Sequence, residues 1–288
     1  MRKKMIILFI GDIVGHRGRQ CVARVLPGLR AEYGVDLVVA NAENAAGGLG
    51  ATPAVINELY RMGVQGVTLG NHVWRKKELA SGLDALGYVV RPANYPEGVP
   101  GNGSIILTLP DGRKVGIVNL AGRVFMEPCS CPFKKGREVV HALRESTPIV
   151  LVDFHAEATS EKVAFGWYMD GLCSAVLGTH THVQTADERI LPGGTAYITD
   201  VGMTGPVDSV IGIERERAIS KFVTGMPNEF KVAKGRACLC GALVEVDETS
   251  GRARSIQRIA RDDSGPPVTA PRRPRPPPTP ASARSRAG

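Results

Sequence analysis

Short apolar runs alternate with longer amphipathic stretches along most of the chain, the pattern of strands covered on both faces by helices. Strands are predicted at residues 6–10, 36–40, 66–69, 105–109, 115–119, 149–152, 175–177 and 196–199. Helices are predicted at 18–33, 52–62, 134–145 and 160–169, with Thr52 as a cap and Pro53 at the first helical position. Residues 105–118 read as a hairpin turned at Asp111-Gly112, so strands otherwise joined by helices must belong to a mixed arrangement. No internal repeat and no second composition regime appears before the end, which predicts one α/β domain over residues 1–262.

Composition changes this picture only at the C-terminus. From Ser264 onward the chain carries eight prolines, five arginines and no acid. Such a segment buries too little apolar surface to offset its ordering entropy, so 263–288 is expected to be a disordered Pro/Arg-rich tail. Of the net charge of +8, five units lie from Ser264 onward. The remaining body is near neutral and gives no reason to expect a nucleic-acid groove; any contact with RNA would run through the basic tail, whose plainer reading is a passive extension. No apolar run approaches the roughly 20 residues of a membrane span, and no cleavable leader follows the basic start. The expected location is therefore cytoplasmic, without membrane association. Cys21 and Cys173 sit among apolar residues and read as reduced core thiols, while the pairs Cys129/Cys131 and Cys238/Cys240 are spaced too tightly for a usual zinc site.

The candidate chemistry lies where the strands end. Five apolar runs stop on polar clusters: Gly-Asp12, Asn-Ala-Glu43-Asn44, Gly-Asn71-His72, Asp153-Phe-His155 and Gly-Thr-His180-Thr-His182. Ligands of open α/β sheets bind beyond the carboxyl ends of the strands, so these clusters can meet in one cleft. Four of the six histidines fall in them. Carboxylates of Asp12 and Glu43, amide oxygens of Asn44 and Asn71, and imidazoles of His155, His180 and His182 suit a divalent transition metal. Seven donors exceed the needs of one ion and point to two, with Glu43 best placed to bridge. Taken singly, each cluster has a plainer reading: Asp12 as a helix cap, Gly-Asn71-His72 as a turn, His180-Thr-His182 as alternate residues on one face of an extended segment. Asp153 reads as a partner to a ligand or a solvated strand-end acid rather than a ligand itself. Residues 45–50, rich in glycine, lack the Lys-Ser/Thr of a phosphate loop and read as a turn bringing backbone close to the site.

The order of these motifs resembles the calcineurin-like metallophosphoesterases. More closely, Phe9-Ile-Gly-Asp-Ile-Val-Gly15, Asn41-Ala-Glu-Asn-Ala-Ala-Gly-Gly48, Thr68-Leu-Gly-Asn-His72, the run from Asp153 to Lys162, the run from Gly178 to Asp187 and the run from Ile198 to Pro206 resemble the YmdB-like family within that superfamily. The resemblance implies a four-layered α/β/β/α sandwich with mixed sheets, and a dinuclear metal-dependent phosphodiesterase acting on cyclic nucleotides, above all 2′,3′-cyclic nucleotides, by attack of a hydroxide bridging the ions. It implies that Asp12, Glu43 and His182, with Asn44 nearby, hold one ion, and that Glu43, Asn71, His155 and His180 hold the other. Iron or manganese is the expected metal. The Asp-x-His that opens the wider superfamily's pattern is Asp12-Ile-Val here, and Glu43 stands where a bridging aspartate is common; both departures are shared with the YmdB-like pattern. A homo-oligomer is expected on the same ground.

His72 follows the ligand Asn71 directly and is assigned as general acid rather than ligand, protonating the ribose oxygen that leaves. Asn44 and Thr181 are candidates to orient substrate or ligands. Phe125, Met126, Phe133 and Trp167 could stack on a base, but they read equally well as core. Two alternatives stay open: a phosphomonoesterase on the same centre, and a nucleotide-sensing or RNA-associated regulator with incidental turnover.

Overall fold

The computed structural model describes residues 4–264. Its first run of elements is β1 (Lys4–Ile10), α1 (Gly15–Tyr33), β2 (Leu37–Asn41), α2 (Pro53–Arg61), β3 (Gly66–Thr68), α3 (Lys77–Gly82) and β4 (Val89–Val90). Next come β5 (Ser104–Thr108), β6 (Lys114–Ala121), α4 (Pro132–Arg144), β7 (Val150–His155), α5 (Thr159–Met169), β8 (Ala175–Thr179), β9 (Arg189–Ile190) and β10 (Ala196–Ile198). The last are β11 (Gly205–Pro206), α6 (Arg215–Thr224), β12 (Ala237–Asp247) and β13 (Ala253–Asp262).

The first and last runs build one sheet and the middle run builds another. In the first sheet β1, β2, β3 and β4 are parallel and β12 joins β1 antiparallel, itself flanked by β11 and β13. In the second, β6, β7, β8 and β10 are parallel, with antiparallel β5 and β9 at the edges. Alternation along each strand separates the layers. Met5, Ile7 and Phe9 of β1 point into a core shared with Val115 and Ile117 of β6, Leu151 of β7 and Leu177 of β8. Ile6, Leu8 and Ile10 pack outward beneath Val22, Leu26 and Leu29 of α1. On the far side, Val118, Val152 and Val176 pack with Val140 of α4 and Phe165 of α5. The result is the four-layered α/β/β/α sandwich with mixed sheets.

Each of the predicted strands and helices is present, shifted at most by a few residues. The Asp111-Gly112 turn closes β5 onto β6 through Leu109 N–H to Arg113 O at 2.8 Å. Thr52 caps α2 by accepting the Val55 N–H at 3.3 Å, with Pro53 opening the helix. The C-terminal hairpin β12–β13, with β12 lying against β1, had no counterpart in the predicted strands. Gly241 allows that contact: a Cβ there would enter the Phe9 carbonyl across the β1–β12 ladder. Asp263 is buried, accepts from Ala237 N–H at 3.1 Å and pairs with Arg17. The rest of the expected tail, from 265, lies outside the described residues.

Candidate functional site

Five parallel strands, β1, β2, β3, β7 and β8, deliver polar residues at their carboxyl ends. Asp12 follows β1, Glu43 and Asn44 follow β2, Asn71 and His72 follow β3, His155 ends β7, and His180 and His182 follow β8. Asp12, Glu43 and His155 have no exposed surface, and Asn44 almost none. Asp12 does not cap α1, whose N-cap is Val14 without a side-chain bond.

The donors converge on His155. Its Nε2 lies 3.1 Å from Glu43 Oε2, 2.9 Å from Asn71 Oδ1 and 3.0 Å from His180 Nδ1. The protonation of this ring follows from its other side. Thr179 Oγ1 gives its single proton to Asp153 Oδ1 at 2.6 Å, so it accepts from His155 Nδ1–H at 2.8 Å. The neutral ring therefore turns the Nε2 lone pair toward a carboxylate and an amide oxygen. Acceptors crowded this closely need a positive charge among them. Burial opposes charge on His155, but Glu43 foremost, with Asp12 and Asp153, raises its pKa to about 9. Burial and the field of His155 push His180 down to about 3. Glu43, despite the cost of burial, is held well below the usual carboxylate range by His155 and His72. A field that favours a proton here favours a divalent cation in the same way, with proton release on binding.

The second half of the cluster centres on Asp12 and His182. Asp12 Oδ1 is buried with no hydrogen-bond partner, 4.0 Å from His182 Nε2, while Oδ2 accepts the His180 N–H at 3.2 Å. A buried carboxylate oxygen without a partner costs free energy unless an ion or water completes it. His182 Nδ1 lies 2.9 Å from the Ile211 carbonyl, which can only accept; this fixes the tautomer and leaves Nε2 as the acceptor nitrogen of the ring. Glu43 lies between the halves, Oε2 toward His155 and Oε1 toward Asn44 Nδ2 at 2.9 Å. Carboxylate, amide and imidazole donors in this arrangement are of the kinds that bind a divalent metal, and Glu43, His155 and His180 bring their donor atoms close enough to share one.

Asn44 and His72 form the third part. Asn44 Oδ1 lies 2.8 Å from His72 Nδ1, and Asn44 Nδ2 also reaches His182 Nε2 at 3.2 Å. With its amide oxygen on His72 and its amide nitrogen toward Glu43 and His182, Asn44 links His72 to the rest of the cluster.

Backbone geometry explains how these side chains are held. His180 and His182 have φ of 96° and 66°, a region costly for residues with a Cβ and stable only when the surroundings impose it. The restraint is a buried ion pair that sequence reasoning missed. Lys162 on α5 donates to Asp200 Oδ2 and to the Thr179 carbonyl, each at 2.7 Å, and Asp200 Oδ2 also accepts Thr181 Oγ1 at 2.7 Å and its N–H at 3.1 Å. Asp153 lies behind the site as a partner, bonded by Thr179 and by Asn41 Nδ2 at 3.0 Å.

A cavity of about 540 Å³ opens over the cluster and is lined by Glu43, Asn44, His72, His180, Thr181 and His182. Its outer wall is Val14, Leu49, Ile211, Ile213 and Phe230, with Gly47 and Gly48 of the glycine-rich turn, and with Arg75 and Glu157 at its polar edge. Glu157 Oε2 lies 3.2 Å from His180 Nε2. Phe125, Met126, Phe133 and Trp167 do not line it; Phe133 packs on Phe165 and Tyr168, while Phe125 and Trp167 face solvent. No periodicity could have assigned Ile211, Ile213 and Phe230 to the site, because they come from irregular segments around α6. The six cysteines are unpaired thiols.

Comparison with known proteins agrees with this geometry. A family model described as YmdB-like protein matches residues 8–259. A Bacillus subtilis (strain 168) protein named 2′,3′-cyclic-nucleotide 2′-phosphodiesterase is 48% identical over 259 residues, covering 90% of this chain and 98% of that protein. A solved structure from Mycoplasma pneumoniae, described as a novel phosphatase, is 38% identical with a TM-score of 0.84, covering 92% of this chain and 96% of that one. A solved structure of a hypothetical protein from Thermus thermophilus is 44% identical with a TM-score of 0.82, covering 90% of this chain and 99% of that one.

Proposed function

The chain belongs to the YmdB-like family, and from that premise we propose that it is a dinuclear metal-dependent phosphodiesterase opening 2′,3′-cyclic nucleotides. The observation that carries the reading is the meeting of Glu43, Asn71 and His180 around His155 Nε2, all within 3.1 Å, on the wall of a cavity large enough for a nucleotide.

Glu43, Asn71, His155 and His180 would hold one ion, and Asp12, Glu43 and His182 would hold the other, with Asn44 beside it. Oxygen and imidazole donors in this mixture suit iron or manganese. Bound ions supply Lewis acidity, lowering the pKa of the attacking water and offsetting the charge that grows on the phosphoryl oxygens.

The remaining chemistry belongs to the chain. His72 lines the cavity with Nδ1 engaged by Asn44, which leaves Nε2 as the nitrogen able to protonate the departing ribose oxygen. Asn44 keeps that ring from turning. Thr179 and the Ile211 carbonyl fix the tautomers of His155 and His182. The apolar wall accepts the base and excludes water from one side of the cavity. One domain serves this function, working on a small nucleotide in the cytoplasm as a homo-oligomer; among the described residues no helix is long and apolar enough to cross a membrane.

The test is hydrolysis of 2′,3′-cyclic AMP, 3′,5′-cyclic AMP, bis(p-nitrophenyl) phosphate and p-nitrophenyl phosphate by manganese- or iron-loaded protein. Preference for the 2′,3′-cyclic diester is expected. Faster turnover of p-nitrophenyl phosphate than of any diester would replace this reading with a phosphomonoesterase.

A further inference from the structure

Beside the catalytic cavity lies a second depression of about 460 Å³, and the two share Phe230 and Gly47 as their common edge. The divide is low: Gly47 has φ of 71°, and a Cβ built on it meets nothing within 4 Å. The second depression is basic. Arg17, Lys231 and Lys234 line it and no carboxylate does. Arg17 is pinned by Asp263 and the Gly235 carbonyl, so its guanidinium is held in place, whereas Lys231 has only an exposed Glu229 at 3.4 Å. Among the described residues no carboxylate lies within 4.0 Å of the Lys234 ammonium.

Its wall is tied to the catalytic one. Residues 231–233 bond back to the segment that carries Ile211, through Glu214 N–H to Lys231 O and Ala233 N–H to Gly212 O, each 2.9 Å. Ile211 O in turn receives His182 Nδ1. The link from the groove to the apolar wall runs through backbone alone, and neither the Lys231 nor the Lys234 side chain lines the catalytic cavity.

A 2′,3′-cyclic mononucleotide carries its charge at the reacting phosphate and has none at O5′, so it gives a cationic groove beyond the cavity nothing to hold. A strand continuing from O5′ places its next phosphodiester outside the cavity. Phe230, shared by both depressions, offers a ring on which a base can stack, as single-stranded nucleic acids do on aromatic side chains, with Lys221 Nζ 4.6 Å from its centroid. We propose that the substrate class of this site, granted the 2′,3′-cyclic phosphodiesterase reading on which the proposal rests, is the 2′,3′-cyclic phosphate end of short oligoribonucleotides. The terminal residue occupies the cavity and the preceding phosphodiester occupies the groove of Arg17, Lys231 and Lys234. Water adds across the P–O2′ bond: its hydroxide goes to phosphorus, a proton goes to O2′, and the strand ends in a 3′-phosphate.

The experiment compares kcat/KM of the metal-loaded full chain on adenylyl-(3′→5′)-adenosine 2′,3′-cyclic phosphate, on 2′,3′-cyclic AMP and on 2′,3′-cyclic AMP bearing a 5′-phosphate. The dinucleotide should exceed 2′,3′-cyclic AMP by about fivefold, the scale of one exposed charge pair. That advantage should shrink on raising salt from about 50 to 200 mM. It should vanish in Lys231→Glu/Lys234→Glu, whose rate on 2′,3′-cyclic AMP stays unchanged; Lys231→Ala/Lys234→Ala serves if the charge reversal does not fold. Equal kcat/KM for the dinucleotide and 2′,3′-cyclic AMP, or an advantage indifferent to the lysines, overturns the proposal. An equal gain from the 5′-phosphate alone also overturns it, reducing the groove to a subsite for a terminal phosphate. If no cyclic substrate is cleaved, the phosphodiesterase reading itself has failed. The groove is then judged by fluorescence anisotropy of a labelled tetraribonucleotide 3′-phosphate, and binding that does not weaken in the lysine variants overturns it as well.

Discussion

Gly70→Ala adds one methyl group at the floor of the site. A Cβ at this position would lie 2.5 Å from His155 Cδ2 and closer still to Glu43 Oε2 and His155 Nε2. Gly70 is not among the positive-φ glycines, so alanine suits its backbone and by itself would stabilise the protein by about 0.4–1 kcal/mol through the unfolded chain. The clash acts against this. Glu43 and His155 are fully buried and bonded on several sides, and forcing a methyl group into a packed interior costs roughly 1–3 kcal/mol. The net loss is about 1–2 kcal/mol, a fall of roughly 2–8 °C in Tm for a domain of this size. Function should suffer far more, because a displacement of about 1 Å in catalytic groups can cost on the order of 100-fold in rate. Differential scanning fluorimetry, manganese titration calorimetry and hydrolysis of 2′,3′-cyclic AMP read the three effects together. A Gly70→Ala protein with wild-type metal affinity and rate would refute the placement of Glu43 and His155 at the centre of the site.

Other substitutions separate roles. His72→Ala should keep its metal and lose about 100- to 10,000-fold in rate, the span of general acid catalysis; metal analysis beside kinetics checks this, and loss of metal would make His72 a ligand instead. Lys162→Met leaves Asp200 buried and unpaired and should cost about 3–5 kcal/mol in urea unfolding, with Lys162→Met/Asp200→Asn recovering part of it; a neutral Lys162→Met would remove the restraint assigned to the His180–His182 turn. Thr52→Ala removes the cap of α2 at a residue that does not line the cavity, and should lower stability by about 1 kcal/mol while leaving the rate on 2′,3′-cyclic AMP unchanged.

Much of the site was legible because strand ends are punctuated. A parallel strand reads as an apolar run, and where it stops on Asp12, Glu43, Asn71, His155 or His180 the topology alone carries those residues to one edge of the sandwich. The fold was legible to the same depth, down to the Asp111-Gly112 hairpin and the Thr52 cap. The hairpin β12–β13 was not. In β12, Leu239 and Ala242 are buried on both sides of Gly241, and β13 carries Arg254, Arg258 and Arg261 on exposed positions of an edge, so neither shows simple alternation. What the strand pattern could not provide at all was the wall opposite the ligands. Ile211, Ile213 and Phe230 reach the cavity from irregular backbone, and Lys162 and Asp200, 38 residues apart, meet only because α5 packs beside the β8 turn. Long-range pairing of this kind leaves no period in a sequence.

The central claim is that one cluster of side chains both holds two ions and opens a cyclic diester. Elemental analysis of purified protein, wild type, Glu43→Ala and His72→Ala, run beside hydrolysis of 2′,3′-cyclic AMP on the same samples, tests it most directly. Two iron or manganese ions per wild-type chain, loss of metal and rate together in Glu43→Ala, and loss of rate alone in His72→Ala are the predicted result. Full turnover by Glu43→Ala, or a wild type that binds two ions and cleaves no diester, would contradict it.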